Sequence, residues 1–78
     1  MTLIENITEE NRKSREIYGP FNSTHEVYGV LKEEVDEFFD LVKMKPGKHK
    51  SDQMVHELMQ IASVAIRAIQ EMEEIKHI

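Results

Sequence analysis

The segment 24-THEVYGVLKEEVDEFFDLVK-43 decides the fold. Its apolar residues recur every three or four positions and fill one broad arc of a helical projection at about 100° per residue, which predicts an amphipathic helix. Ser23, followed three residues later by Glu26, has the form of a helix N-terminal capping box. Pro46 and Gly47 mark a turn shortly after the last apolar position. The sequence therefore predicts a helix over about residues 24–43.

Two further helices are expected, one on each side of this segment. Residues 52–75 carry a wide apolar arc, with Ser51 as the expected N-cap and Asp52 in the first turn. Residues 8–17 resemble a short polar helix opened by Thr8, and we expect it to stay outside the core because its first nine residues include no apolar side chain. No segment alternates with the two-residue period of a strand, so the fold class is all-α.

Length and composition limit the architecture. A chain of 78 residues is the size of one small domain, so we interpret residues 1–78 as a single helical domain. Only 40% of its residues are hydrophobic, and it has no cysteine, which excludes disulfides and thiolate metal sites. Short connections make neighbouring helices antiparallel. We therefore expect a small antiparallel helical bundle that is completed by oligomerisation.

The charge of the chain excludes several classes of partner. The formal net charge is −5, which disfavours a nucleic-acid polymer as the main partner. No run of apolar residues approaches the length that a membrane span requires. The start of the chain, MTLIENITEEN, is acidic and does not have the pattern of a secretory signal. These features favour a cytoplasmic protein that does not bind membranes.

Three glutamates are the candidate metal ligands. Glu34 falls inside the apolar arc of the second predicted helix, Glu37 lies one turn later at the edge of that arc, and Glu57 lies at the border of the arc on the third helix. A simple alternative for Glu34 is an ion pair with a basic residue at the edge of the core. Antiparallel packing, however, brings all three carboxylates together. Such a cluster repels itself and needs a hard cation, which favours Mg²⁺ or Mn²⁺.

The loop between the second and third helices is rich in lysine. Four lysines occur within eight residues, and no acidic residue interrupts them: Lys43, Lys45, Lys48 and Lys50. One interpretation is a solvated linker. The other is a cationic rim that binds a polyphosphate whose oxygens also ligate the metal.

Two stretches of the chain resemble a known enzyme family. They are GPFNSTHEVYGVLKEEVDEFFDLV (residues 19–42) and HELMQIASVAIRAI (residues 56–69), and they are similar to the MazG-like nucleotide pyrophosphohydrolases, in particular to the short members encoded by phages and bacteria. The family pattern has E-x-x-E on one helix, present here from Glu34 to Glu37, and E-x-x-D on the next, which here reads Glu57 to Gln60. The context G-P-x-x-S-x-H-E adds to the match.

The resemblance implies a fold, an activity and a set of site residues. It implies an all-α protein that forms a dimer or a tetramer and cleaves a nucleoside triphosphate to the monophosphate and pyrophosphate with Mg²⁺. It further implies that Glu34, Glu37 and Glu57 ligate the metal and that Gln60 occupies the position of the fourth ligand. Glu33 would position or deprotonate the attacking water.

A second interpretation belongs to a different functional class. The chain would then be a non-catalytic helical oligomer that retains the MazG-like scaffold as a nucleotide-binding or regulatory module. Gln60 favours this alternative because a neutral amide in place of a carboxylate weakens metal binding. The intact set of Glu33, Glu34, Glu37 and Glu57 favours the enzyme.

Overall fold

Three α-helices account for most of the chain. A computed structural model describes residues 2–77, with α1 at Leu3–Tyr18, α2 at Thr24–Lys43 and α3 at Lys50–Glu71. No strand occurs in this part of the chain, so the predicted all-α class is confirmed. None of the three helices is long and apolar enough to cross a membrane.

The start of α2 follows the expected chemistry only in part. The helix spans the residues predicted for it, and the Ser23 hydroxyl accepts a hydrogen bond from the Glu26 backbone N–H at 3.1 Å. The Glu26 carboxylate does not return to Ser23. It accepts instead from the backbone N–H and the side-chain amide of Asn22, at 3.3 and 3.0 Å. Ser23 is therefore an N-cap, but the reciprocal half of the capping box is replaced by the contact with Asn22.

The first helix begins earlier than the sequence pattern indicated. Thr2 is its N-cap, with a reciprocal capping box in which the Thr2 hydroxyl accepts from the Glu5 N–H and the Glu5 carboxylate accepts from the Thr2 N–H, both at 3.1 Å. The expected boundaries of 8–17, with Thr8 as the cap, are corrected by this finding. The earlier start adds Ile7, which is buried, so α1 contributes to the core that it was expected to avoid.

The third helix also differs at its ends. It begins at Lys50 after an N-cap residue, His49, that makes no side-chain capping bond, so Ser51 lies inside the helix and is not its cap. Asp52 does lie in the first turn. The helix ends at Glu71, and residues 72–75 form turns where a continuing helix was expected.

Helix α3 lies at the centre and packs against both α1 and α2. Helices α2 and α3 are antiparallel, since Val27 at the start of α2 shares a core cluster with Ala68 near the end of α3. Phe21 and Ile75, from the segments outside the helices, complete that cluster. The Cα atoms extend 41 × 29 × 18 Å, so the helices form a flattened layer with a small core.

One side of α3 that the sequence suggested to be polar is buried. Arg67 and Glu71 form an ion pair there, with the Arg67 Nε donating to the Glu71 carboxylate at 3.1 Å. The same carboxylate accepts from the Phe21 backbone N–H at 2.8 Å, and the Arg67 guanidinium donates to the Gly19 carbonyl. These bonds hold the connection between α1 and α2 against the end of α3. Gly19 has φ of 71°, a left-handed conformation that favours glycine.

Candidate metal centre

Three carboxylates from two helices converge beside the loop that joins α2 to α3. Glu34, Glu37 and Glu57 each offer an oxygen that lies within 4.8 Å of the oxygens of the other two. Glu34 and Glu37 are one turn apart on α2 and share a face of that helix. Glu57 lies about two turns into α3, which runs back along α2. The short connection between the antiparallel helices is what brings the three groups together.

The cluster has no basic partner. Within residues 2–77, none of the three glutamates forms an ion pair with Lys, Arg or His. The alternative interpretation of Glu34 as half of an ion pair is therefore wrong for the described part of the chain. One buried oxygen of Glu57, Oε2, also has no hydrogen-bond donor. A buried carboxylate oxygen without a donor is costly unless a proton or a cation satisfies it.

The crowding of the three carboxylates contributes to raised pKa values at two of them, Glu34 and Glu37. Partial burial, followed by the nearby carboxyl group of Glu57 and the charge of Glu37, raises the pKa of Glu34 to about 7. Desolvation of the carboxylate and the charge of Glu57 also raise the pKa of Glu37. Near neutral pH the cluster therefore holds a proton for part of the time. A divalent cation stabilises the ionised form of all three groups in place of that proton.

A cleft of about 530 Å³ opens beside the cluster. Its walls come from the last turns of α2 and the first turns of α3: Glu37, Asp40, Leu41, Asp52, Gln53, His56 and Glu57. The cleft lies where the two helices meet the lysine-rich loop. Asp40 and Asp52 were not among the expected site residues, although Asp40 follows Glu37 by one turn and the helical spacing alone would have indicated it.

Two further expected site residues, Glu33 and Gln60, lie on the same two helices as the cluster. Glu33 is exposed on α2, and its charge contributes to the raised pKa of Glu34 and of Glu37, which places it near both. Gln60 is half-buried on α3, one turn after Glu57, and it does not line the cleft.

The four lysines of the loop divide into two pairs. Lys50 donates hydrogen bonds to the carbonyls of Val42 and Met44, so it caps the C-terminal end of α2. Lys43 forms an ion pair with Asp40 at 3.2 Å and lies over the Phe39 ring. These two have structural partners.

Lys45 and Lys48 differ from that pair. Both are exposed, and neither makes a hydrogen bond or an ion pair with another residue between 2 and 77. They are the two loop cations that remain available to a ligand.

Comparisons with protein-family models, with curated proteins and with solved structures found no match to this chain.

Proposed function

We propose that the chain is a Mg²⁺-dependent nucleoside triphosphate pyrophosphohydrolase of the cytoplasm that acts as a homo-oligomer. The observation that carries the proposal is the convergence of Glu34, Glu37 and Glu57 without a basic partner. The similarity of residues 19–70 to the MazG-like family supports the same activity. Mn²⁺ suits the same ligands.

The donor set fits a hard divalent cation. Glu34, Glu37 and Glu57 would hold the ion through carboxylate oxygens, and the donor-free Oε2 of Glu57 is an oxygen that such an ion would satisfy. Gln60 would add a neutral carbonyl oxygen from the next turn of α3. When bound, the ion neutralises phosphate charge and lowers the pKa of water.

The protein's own groups have separate roles in the proposed reaction. The oxygen of a water molecule attacks the α-phosphorus, and the bond from that phosphorus to the bridging oxygen breaks, so pyrophosphate leaves and the nucleoside monophosphate remains. Glu33 is exposed beside the cluster and accepts the proton of the water. Lys45 and Lys48 bind the phosphate oxygens at the open end of the cleft, whereas Lys43 and Lys50 support the loop.

The second candidate is a non-catalytic nucleotide-binding or regulatory module. The observation in its favour is Gln60, because its neutral amide leaves the set of candidate ligands with one carboxylate fewer than the family pattern has. Such a module would bind nucleotide or metal and release no product.

A pyrophosphate-release assay with a thermal melt tests the two candidates. Ribo- and deoxynucleoside triphosphates are supplied with Mg²⁺ or with a chelator to wild type, Glu34→Gln and the control Glu73→Gln, whose exposed carboxylate lies in the turn after α3. Metal-dependent pyrophosphate release by wild type and the control, lost in Glu34→Gln, is expected. A midpoint raised by metal and nucleotide without release of product favours the module. No release and no shift in the midpoint contradicts both candidates.

A further inference from the structure

The end of the α2–α3 pair that adjoins the loop has little apolar packing. The buried core cluster that joins the two helices lies at the opposite end, around Val27 and Ala68. Near the loop, large apolar side chains of both helices are exposed instead: Val35, Phe39, Val42, Val55 and Leu58. Burial of apolar surface therefore holds α2 and α3 together less strongly at the loop end than at the other end.

The candidate metal centre adds a repulsion at this weakly packed end. The carboxylate oxygens of Glu34, Glu37 and Glu57 lie within 4.8 Å of one another, and they have no basic partner among residues 2–77. Like charges at this distance oppose the approach of the helices that carry them. Another contact between α2 and α3 is therefore expected to keep the metal-free centre closed.

The side chain of Lys50 makes such a contact. Lys50 is the first residue of α3, and its Nζ reaches back across the loop to donate to the carbonyls of Val42 at 3.3 Å and Met44 at 2.5 Å, at the end of α2. It is half-buried, whereas the other three loop lysines are exposed. Among residues 2–77, no other positively charged side chain links α2 to α3.

The charge of Lys50 suits the end of α2 and does not suit the start of its own helix. A basic residue in the first turn of a helix opposes the partial positive charge of the backbone N–H groups there. The N-cap residue of α3, His49, makes no side-chain hydrogen bond that would offset this cost. At the C-terminal end of α2 the same ammonium meets carbonyls with partial negative charge, which it stabilises. The contact between the two helices therefore accounts for a lysine at this position.

We propose that Lys50 is a positioning residue for the metal centre, because it joins the start of α3 to the end of α2 and so keeps Glu57 beside the two glutamates of α2. Glu57 follows Lys50 by seven residues, about two turns, and Glu37 precedes Val42 by five. Over this short distance, helices carry the spacing set at the loop to the carboxylates. The inference rests on the metal centre of the proposed function and not on the catalytic activity.

Positioning and charge predict opposite effects of removing Lys50 on metal affinity. If Lys50 keeps the centre closed, its loss lowers the population of the form that binds metal, and the apparent affinity falls by the same factor. If Lys50 acts only through its charge, its loss removes a repulsion from the cation, and the affinity rises. The sign of the change therefore separates the two roles.

Titration with Mn²⁺, followed by the paramagnetic resonance signal of the free ion, measures that sign. We expect Lys50→Met to bind Mn²⁺ more weakly than wild type by roughly two- to tenfold, as the loss of one net hydrogen bond gives. Lys50→Arg should restore the affinity, because a guanidinium can donate to two carbonyls. Lys48→Met is the matched control: it removes the same charge from an exposed lysine of the same loop, so its affinity should be equal to wild type or higher.

Hydrogen exchange in a chelator tests the closure without metal. In Lys50→Met, backbone amides in the last turns of α2 and the first turns of α3 should exchange faster than in wild type and in Lys48→Met. Amides around Val27 and Ala68, at the far end of the helix pair, should keep their wild-type protection. This local pattern distinguishes an opened loop end from a general loss of stability.

Three results would overturn the positioning role. They are Mn²⁺ binding by Lys50→Met that equals or exceeds that of wild type, faster exchange spread evenly over all three helices, and a Lys50→Arg variant no better than Lys50→Met. A wild type that binds no Mn²⁺ would contradict the metal centre and this inference with it. Pyrophosphate release is measured separately, so a chain that binds Mn²⁺ without releasing product contradicts the proposed activity alone.

Discussion

Glu34 of α2 and Glu57 of α3 offer carboxylate oxygens within 4.8 Å of each other, and no basic side chain between residues 2 and 77 pairs with either. Two like charges at this distance oppose the packing of the helices that carry them. Partial burial and this crowding together raise the pKa of Glu34, because a proton on the carboxylate removes both the cost of burying its charge and the repulsion. The cluster therefore stores an unfavourable interaction that a cation would relieve.

Replacing Glu34 by glutamine should separate folding from metal binding. Glu34→Gln keeps the shape of the side chain and removes one charge, so the metal-free protein should keep its stability or gain some, and Mg²⁺ or Mn²⁺ should no longer raise the melting midpoint. Thermal melts with and without metal check this, with Glu73→Gln as the control that still responds to metal. Loss of stability in the chelator would mean that Glu34 supports the fold itself.

The stability of the metal-free chain should fall as pH rises. The pKa of Glu34 lies at about 7 in the folded chain, above its usual value of 4.5, so the folded chain holds this proton more tightly than the unfolded chain. Stability contributed by the protonated group is therefore complete below about pH 4.5, is lost as pH rises through about 7, and stays constant above that range. Glu37 should act in the same direction.

Melts across this pH range in a chelator measure the effect. Comparison of wild type with Glu34→Gln cancels the titration of groups outside the cluster. The wild-type midpoint should drop relative to the variant between about pH 5 and pH 8. Parallel curves for the two proteins would contradict a raised pKa at Glu34.

Sequence periodicity was sufficient for α2 and for the convergence of its carboxylates with Glu57. Both depend on which face of a helix a residue occupies, and that follows from its spacing. The polar stretch from Thr8 to Glu16 does not indicate where α1 begins, whereas Thr2 and Glu5 have the spacing of a capping box and would indicate the observed start.

The burial of Arg67 and Glu71 could not be predicted in the same way. Spacing places them on the polar side of α3, and only the path of the segment around Gly19 and Phe21 covers that side. Sequence spacing also could not predict which of the four loop lysines have structural partners. Whether a lysine caps a helix or stays free depends on how the loop folds back, which composition does not specify.

Removing Glu71 should destabilise the chain strongly. Its carboxylate has no exposed surface and accepts from Arg67 and from the Phe21 N–H, so Glu71→Ala leaves the buried Arg67 charge without this counter-ion and the Phe21 N–H without this acceptor. The expected loss in the free energy of unfolding is about 3–5 kcal/mol. Glu73→Ala, at an exposed site two residues away, should change it by less than about 0.5 kcal/mol. Urea unfolding of both variants checks this, and similar losses would mean that the buried pair contributes little.

Introducing an acidic residue at position 60 should strengthen the proposed metal centre. Gln60 follows Glu57 by one turn, so the two side chains share a face of α3 and can reach one ion. Gln60→Asp adds a negative charge one turn after Glu57, although aspartate is shorter by one methylene. Affinity for Mg²⁺ should rise by about 1–3 kcal/mol, the magnitude of a charge-assisted contact.

Gln60→Asp should stabilise only the metal-bound protein, and it should also increase the catalytic activity. Without metal the variant should be less stable than wild type, because a fourth carboxylate adds to the repulsion around Glu57. Calorimetric titration of Mg²⁺ and Mn²⁺ into both proteins measures the affinity, and pyrophosphate release should increase in the variant as the metal site fills more completely. Gln70→Asp is a suitable control, because it makes the same substitution at an exposed position near the other end of α3, away from the cleft. If both variants bind metal equally well, the added charge acts from a distance, and residue 60 does not contact the ion.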